Sequence, residues 1–271
     1  MLFLKKRLRK ALVSGAFFVF AAWLNPTQAL PPSCQNLNVQ GESATVEFVF
    51  DGDTVRLSDD TRVRLIGLDT PEIFWRDANR DPEPYALEAR DALIQLVEDQ
   101  DDVFLFVDDV RPEDRFGRRL AHMFTTDGVP VAALLMAKGL ATRMIFPPNH
   151  LFADCYTDAE NQARAASLKL WNLSETQPIP STQLSEDMRG YQFITGRVTR
   201  IGHGRRSVWI NLEGRAALRV DHGDLGYFDG IDFEALVGER VEARGFMYVS
   251  RGENRINLRH PIDLVVLESQ P

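Results

Sequence analysis

The chain has 271 residues, 44% hydrophobic and 26% charged, which is ordinary for a soluble globular protein and leaves room for one large or two modest domains. Its formal charge of −8 excludes binding to polyanions by overall attraction, so nucleic-acid chemistry would have to rest on local arginines and a bound cation.

The first ten residues carry Lys5, Lys6, Arg7, Arg9 and Lys10 without an acid. An apolar run over 11–24 follows, then Asn25-Pro26 and Thr27-Gln28-Ala29. This is the three-part layout of a secretory signal peptide, and the apolar run is short for a membrane span. The expectation is cleavage after Ala29, giving a periplasmic or secreted chain without a stable membrane partner; an uncleaved anchor is the alternative. Cleavage would remove five positive charges and take the formal charge from −8 to −13. Cys34 and Cys155 would both remain. An even count in an oxidising compartment favours a disulfide, provided the Cα atoms come within about 7 Å.

Residues 44–57 alternate through Val46, Phe48 and Phe50, break at Asp51-Gly52 and resume at Val55 and Leu57, predicting two strands or one bent strand. A turn at 58–61 leads into a strand over 62–68, closed by Thr70-Pro71, and an irregular charged loop reaches Pro84. Residues 85–98 have helical period, with Ala89, Leu93, Leu96 and Val97 on one face. Strands over 102–108 and 119–124 flank the Phe116-Gly117 turn. A short helix over 131–138 stops at Gly139, and another over 158–171 aligns Ala159, Ala163, Ala166 and Leu170. About five strands with helices at the connections predict an α+β domain over 30–172, built on a small closed Greek-key barrel. Polar residues 173–187, with two prolines and no period, read as a linker. Short β-like runs over 188–271, interrupted by a helical stretch at 231–237, predict a second small barrel of the oligonucleotide/oligosaccharide-binding (OB) type.

Three stretches bear chemistry: Asp51-Gly-Asp-Thr, the segment from Arg64 to Asp69-Thr-Pro-Glu72, and Asp114-Arg-Phe-Gly-Arg118. Asp53 and Asp69 lie beside turns on different strands, where strand ends can share a cleft. Neither motif holds a histidine or cysteine, which favours calcium over zinc. Glu72 is a third carboxylate, free to act as a base. Arg64 and Arg118 can each grip a phosphate through two hydrogen bonds. Taken singly, Asp51-Gly-Asp is a tight turn and Arg118 a solvated turn residue. Together they make the inventory of a metal-assisted phosphodiesterase.

Through these motifs, in this order, and through a terminal helix ending in Leu168-Lys-Leu-Trp171, residues 45–171 resemble the thermonuclease (staphylococcal nuclease-like) family. The resemblance implies an OB-type barrel and calcium-dependent hydrolysis of DNA and RNA on the 5′-oxygen side. It implies that Asp53, Asp69 and the Thr70 carbonyl bind calcium. Glu72 would be the general base, and Arg64 and Arg118 would stabilise the transition state. Where the family commonly places tyrosines, this chain has Phe116 and, near 144–146, Phe146. Arg115, Phe116 and Phe146 are therefore the candidate substrate contacts, by stacking rather than by hydroxyl groups. The loop 74–84 is acidic where lysines are usual, which implies weaker binding or a preference for short or single-stranded substrates.

The five histidines show no ligand spacing and read as structural or surface residues. Arg197, Arg200, Arg205, Arg206 and Trp209 in the second module would suit a basic-aromatic surface, but the favoured reading is an accessory barrel with Trp209 in its core. Two other functions compete with the nuclease: a non-catalytic envelope module binding nucleic acid or protein, and a phosphodiesterase acting on small nucleotides.

Overall fold

The computed structural model describes residues 29–267 except 36, 38, 78, 100, 101 and 108–110. Apart from Ala29 itself, the expected signal segment lies outside the described residues.

The first barrel is closed by one run serving two edges. Strand β1 (Glu42–Ala44) pairs with β6 (Val103–Phe106), and β2 (Val46–Val49), directly after it, pairs with β3 (Thr54–Leu57). Strand β4 (Arg62–Leu65) lies antiparallel to β3 and parallel to β7 (Arg119–Phe124), which returns to β6. The interior is largely apolar, with Val55, Val63, Leu65, Leu105 and Met123 all buried. Helix α1 (Ala86–Glu98) seals it with Ala86, Ala89 and Leu93, a stripe at helical spacing. Helix α2 (Val131–Ala137) is buried on nearly every side. His122, inside the barrel, donates to or accepts from Tyr156 Oη at 2.8 Å, and burial pushes its pKa down to about 3. It is a structural histidine, as its lack of ligand spacing suggested.

Two elements depart from expectation. A short strand β8 (Thr142–Met144), unforeseen, pairs with β5 (Gly67–Asp69). Three residues around a buried Arg143 leave no alternation to read. Helix α3 (Ala153–Ala165) starts earlier than predicted and ends before Ser167 and Lys169, both of positive φ, which force a 3-10 turn over Lys169–Asn172. Its early start lets Cys155 bond to Cys34 with Cα atoms 4.7 Å apart.

In the C-terminal half, β10 (Gly190–His203), β11 (Ser207–Leu212), β12 (Ala216–Asp221), β13 (Arg240–Ser250) and β14 (Glu253–Leu258) form a second closed barrel. β12 and β14 pair in parallel, and β13 closes on β10. If the bent β1/β2 run counts as one strand, both barrels follow the same five-strand connectivity with a parallel pair at the same place. No residue-level repeat marks this. Strand β9 (Ile179–Pro180) and β15 (Leu264–Leu267) widen the second sheet. The stretch 173–187, expected as a linker, carries 3-10 turns, strand β9 and the buried residues Thr176 and Ser181. The helical stretch expected at 231–237 is a single 3-10 turn, Glu234–Leu236. Among the described residues no helix is long and apolar enough to cross a membrane.

The barrels are joined by buried charge. Glu160 of α3 accepts from both terminal nitrogens of Arg244 on β13, at 2.9 and 2.6 Å, and from the Arg143 peptide N–H at 2.6 Å. Arg143 in turn donates to the carbonyl of Ile262 at 3.1 Å, and Asp263 lies within 4.0 Å of both guanidiniums. Burial pushes the carboxyls of Glu160 and Asp263 up to about 7, and Arg143 draws both back toward ionisation. Such a cluster is costly to break, because removing one partner strands a buried charge. Arg244→Ala should lower the unfolding free energy by about 3–5 kcal/mol in urea titrations. A change under 1 kcal/mol would show that the cluster does not hold the barrels together.

Candidate active site

Asp53 is 4% exposed and stands at the end of the β2–β3 turn. The turn approaches its surroundings closely: a Cβ on Gly52 would sit 2.7 Å from the Thr70 methyl and 2.9 Å from Ala89 Cβ. Only glycine lets the turn reach both the end of β5 and helix α1. Thr70 then donates to Asp53 Oδ2 from its N–H and its hydroxyl, each at 3.2 Å.

Register brings the arginines in. Arg64 lies opposite Thr54 on the neighbouring strand. Its guanidinium bridges the two predicted cation ligands, 2.5 Å to Asp53 Oδ2 and 2.9 Å to Asp69 Oδ1. From the other side, Thr54 Oγ1 donates to Asp53 Oδ1 at 2.9 Å and accepts from Arg118 Nη1 at 3.3 Å. Asp114 aims Arg118 by accepting from its Nε at 2.8 Å and its peptide N–H at 3.0 Å. Partial burial raises the Asp114 carboxyl, but these donors and the Phe116 N–H outweigh it and hold the pKa below the ordinary value. One continuous chain therefore runs Asp114, Arg118, Thr54, Asp53, Arg64, Asp69.

Glu72 sits in the field of the same groups. Partial burial and Asp53 raise its pKa, Glu83 adds to this, and Arg64 and Arg118 oppose it. Its backbone is pinned to Glu83, whose carboxylate accepts the Glu72 N–H at 3.0 Å. A cleft of about 230 Å³ is lined by Arg64, Arg111, Asp114, Arg118, Met144 and Phe146, but not by Glu72, Asp53 or Asp69; Asp69 and Thr70 line a separate hollow with Glu83. Arg115 and Phe116 do not line the cleft. Phe116 is 69% exposed at the turn tip, with the guanidiniums of Arg115 and Arg118 over its ring at 4.8 and 5.7 Å. Of the candidate substrate contacts, only Phe146 faces the cleft.

Sequence reasoning missed Asp51, Asp114 and Arg111. Burial, then Asp53, push the Asp51 carboxyl up to about 7. Burial pushes Asp69 to about 6, against the pull of Arg64 and with a push from Asp53 and Glu72. Asp51 passed as the first residue of a turn because its side chain does accept the Asp53 N–H, at 3.1 Å. The doubled aspartate around one glycine was the available signal.

The donor set suits a hard cation. Asp51, Asp53, Asp69, Glu72 and Thr70 offer only oxygen, and the carboxylates repel one another with one guanidinium between them. Among the described residues no group of three or more His, Cys, Asp or Glu is assembled as a metal cage; Arg64 bridges Asp53 and Asp69 instead.

Paired arginines and clustered carboxylates at one end of a barrel are groups suited to phosphodiester chemistry. The family described as staphylococcal nuclease homologue matches residues 62–173. The thermonuclease of Staphylococcus intermedius is 33% identical over 137 residues, covering 49% of this chain and 79% of that protein. An uncharacterized protein of Bacillus anthracis is 31% identical over 132 residues, covering 47% of this chain and 60% of that protein. The chain belongs to the thermonuclease, or staphylococcal nuclease-like, family.

The raised carboxyls fix a sign for stability. A carboxyl whose folded pKa exceeds its unfolded one costs stability as pH rises between the two values. For Asp51 that window runs from about 4 to about 7. In EDTA at pH 8, Asp51→Asn should therefore stabilise the fold by roughly 1–2 kcal/mol, discounted for partial exposure, and the gain should vanish near pH 4. Urea titrations at both pH values check this; a variant less stable than the parent at pH 8 contradicts it.

Proposed function

We propose that the chain is an exported, calcium-dependent endonuclease that hydrolyses phosphodiester bonds of DNA, RNA or both with low base specificity. The observation that carries this reading is the hydrogen-bonded chain linking Arg118 to Arg64 through Thr54 and Asp53. It sets two guanidiniums at one cleft, and both act electrostatically on Glu72, a carboxylate whose pKa is raised.

In this reading Arg64 and Arg118 bind the scissile phosphate and offset the charge that builds on its oxygens in the transition state. Glu72 accepts the proton of the attacking water, and a pKa raised above the ordinary carboxylate value by burial and Asp53 makes it a better base than a free carboxylate. Asp53, Asp69 and the Thr70 carbonyl would hold the calcium, with Asp51 adding charge. When bound there, calcium would supply Lewis-acid neutralisation of the phosphate. Cleft-lining Phe146 offers a face for a base, without a hydroxyl to select a strand end, which favours internal cleavage. Export is supported by the basic-then-apolar N-terminal pattern and by the Cys34–Cys155 bond, which persists best in an oxidising compartment.

Glu72→Gln should lower kcat on DNA by several orders of magnitude with KM changed little, since it removes proton transfer and leaves both arginines in place. EDTA should abolish cleavage and calcium restore it. Near-parental turnover by the variant removes Glu72 from the base role, and restoration by zinc or magnesium but not calcium overturns the metal assignment. A well-folded chain that binds DNA without cutting it in calcium would favour the non-catalytic module.

A further inference from the structure

Trp209 is not in the core of the second barrel. Register places it on the outer face of β11, directly opposite Arg219 of β12, while its neighbours Val208 and Ile210 are buried. The same cross-strand logic extends this face, because directly paired residues share a side of a sheet. Arg255 of β14 lies opposite Tyr248 of β13, and Arg219 opposite Asn257. The guanidinium of Arg255 lies 4.7 Å from the Trp209 ring centroid and that of Arg219 5.8 Å. Two adjoining hollows of about 540 and 280 Å³ share Gly204, Trp209 and Arg255; Arg205 and Arg206 line the first and Arg200 the second.

Charge on this face is not cancelled. Arg219 is paired to Asp221 and Arg255 to Glu253. Arg200, Arg205 and Arg206 are exposed and have no acidic partner among the described residues. In a chain of formal charge −8, arginines gathered around an indole are a local exception.

The face is continuous with the cleft of the first barrel. Tyr248 is two residues from Phe246 on β13, hence on the same side, and Phe246 is 52% exposed. Phe246 stacks on cleft-lining Phe146 with centroids 6.3 Å apart and planes at 18°, and Tyr191 meets its edge at 5.3 Å. Phe146 and Phe246 thus stack at one end of this face, and Tyr248 and Trp209 line one hollow at the other, with guanidiniums around them.

We propose that this outer face of the second barrel is a binding surface for single-stranded nucleic acid, with Trp209 stacking a base, Arg200, Arg205 and Arg206 neutralising phosphates, and the stacked Phe246 and Phe146 leading the strand to the cleft. Every base offers a face to an exposed ring, whereas a duplex keeps its bases stacked on each other. Delivery to the cleft rests on the nuclease reading; binding does not.

The test is fluorescence anisotropy with a labelled 20-nucleotide oligothymidylate, using the full two-barrel chain carrying Glu72→Gln, in EDTA, so that cleavage has no part in the readout. Trp209→Ala should weaken binding by about tenfold, and Trp209→Phe should restore most of it. The exposed double variant Arg205→Glu/Arg206→Glu should weaken binding similarly and flatten the dependence of log K on log salt by about 1.4, two phosphate contacts' worth for a single strand. Thermal unfolding separates these effects from misfolding. Unchanged affinity in the arginine double variant, or tighter binding of a duplex of equal length, overturns the proposal whatever the nuclease assays show.

Discussion

A buried carboxylate must be surrounded by donors or not be there at all. Asp53 meets that requirement with donors from three other elements: Thr54 beside it on β3, Arg64 on β4, and Thr70 after β5. Everything else at this end of the barrel follows from satisfying it. The need to reach Thr70 dictates glycine at position 52. The need for a cationic partner puts Arg64 across the strand from Thr54, where its second nitrogen captures Asp69. Thr54 then relays the arrangement to Arg118. Two arginines and a second carboxylate are thereby held in place around one accepting side chain.

The same arrangement holds more negative charge than one guanidinium neutralises. Asp51, Asp69 and Glu72 all have raised pKa values because burial and mutual repulsion act together. Function is thereby set against stability at this end of the barrel, a usual condition of sites that await a charged ligand. Compensation comes from elsewhere in the fold. Strand β8 pairs Thr142 with Asp69, and the adjacent Arg143 donates its N–H to the Glu160 carboxylate that Arg244 of the second barrel clamps. The strand that carries Asp69 is thus braced, through two steps, by the C-terminal barrel. That barrel supports the site whether or not it touches substrate.

Much of this was legible from residues. Asp53 and Asp69 stood out because each lies beside a turn at a strand end, and Arg64 and Arg118 because a guanidinium can grip a phosphate; the roles of all four came with the family resemblance. The barrel class followed from strand count and short connections. What escaped had physical reasons. Asp51 does the work of a turn residue as well as adding site charge, so its pattern points to the commoner role. Asp114 acts on Arg118 through hydrogen bonds that depend on turn geometry. Strand β8 is too short for alternation, and its central residue is a buried arginine whose partners lie far along the chain. Trp209, expected in the core of an accessory barrel, lies outside it because register against Arg219 decides its side. The shared connectivity of the two barrels is invisible in sequence because pairing order, not residue identity, is what repeats.

Under the proposed function, Asp53 organises a calcium-dependent phosphodiesterase site. The most direct test is the rate of single-stranded DNA cleavage against free calcium for the parent chain and for Asp53→Asn, which keeps the side-chain size but removes the charge and one accepting oxygen. The expected result is saturable, calcium-dependent cleavage by the parent and at least a hundredfold loss in a variant of unchanged fold. Parental cleavage by Asp53→Asn, or cleavage by the parent undiminished in EDTA, would contradict it.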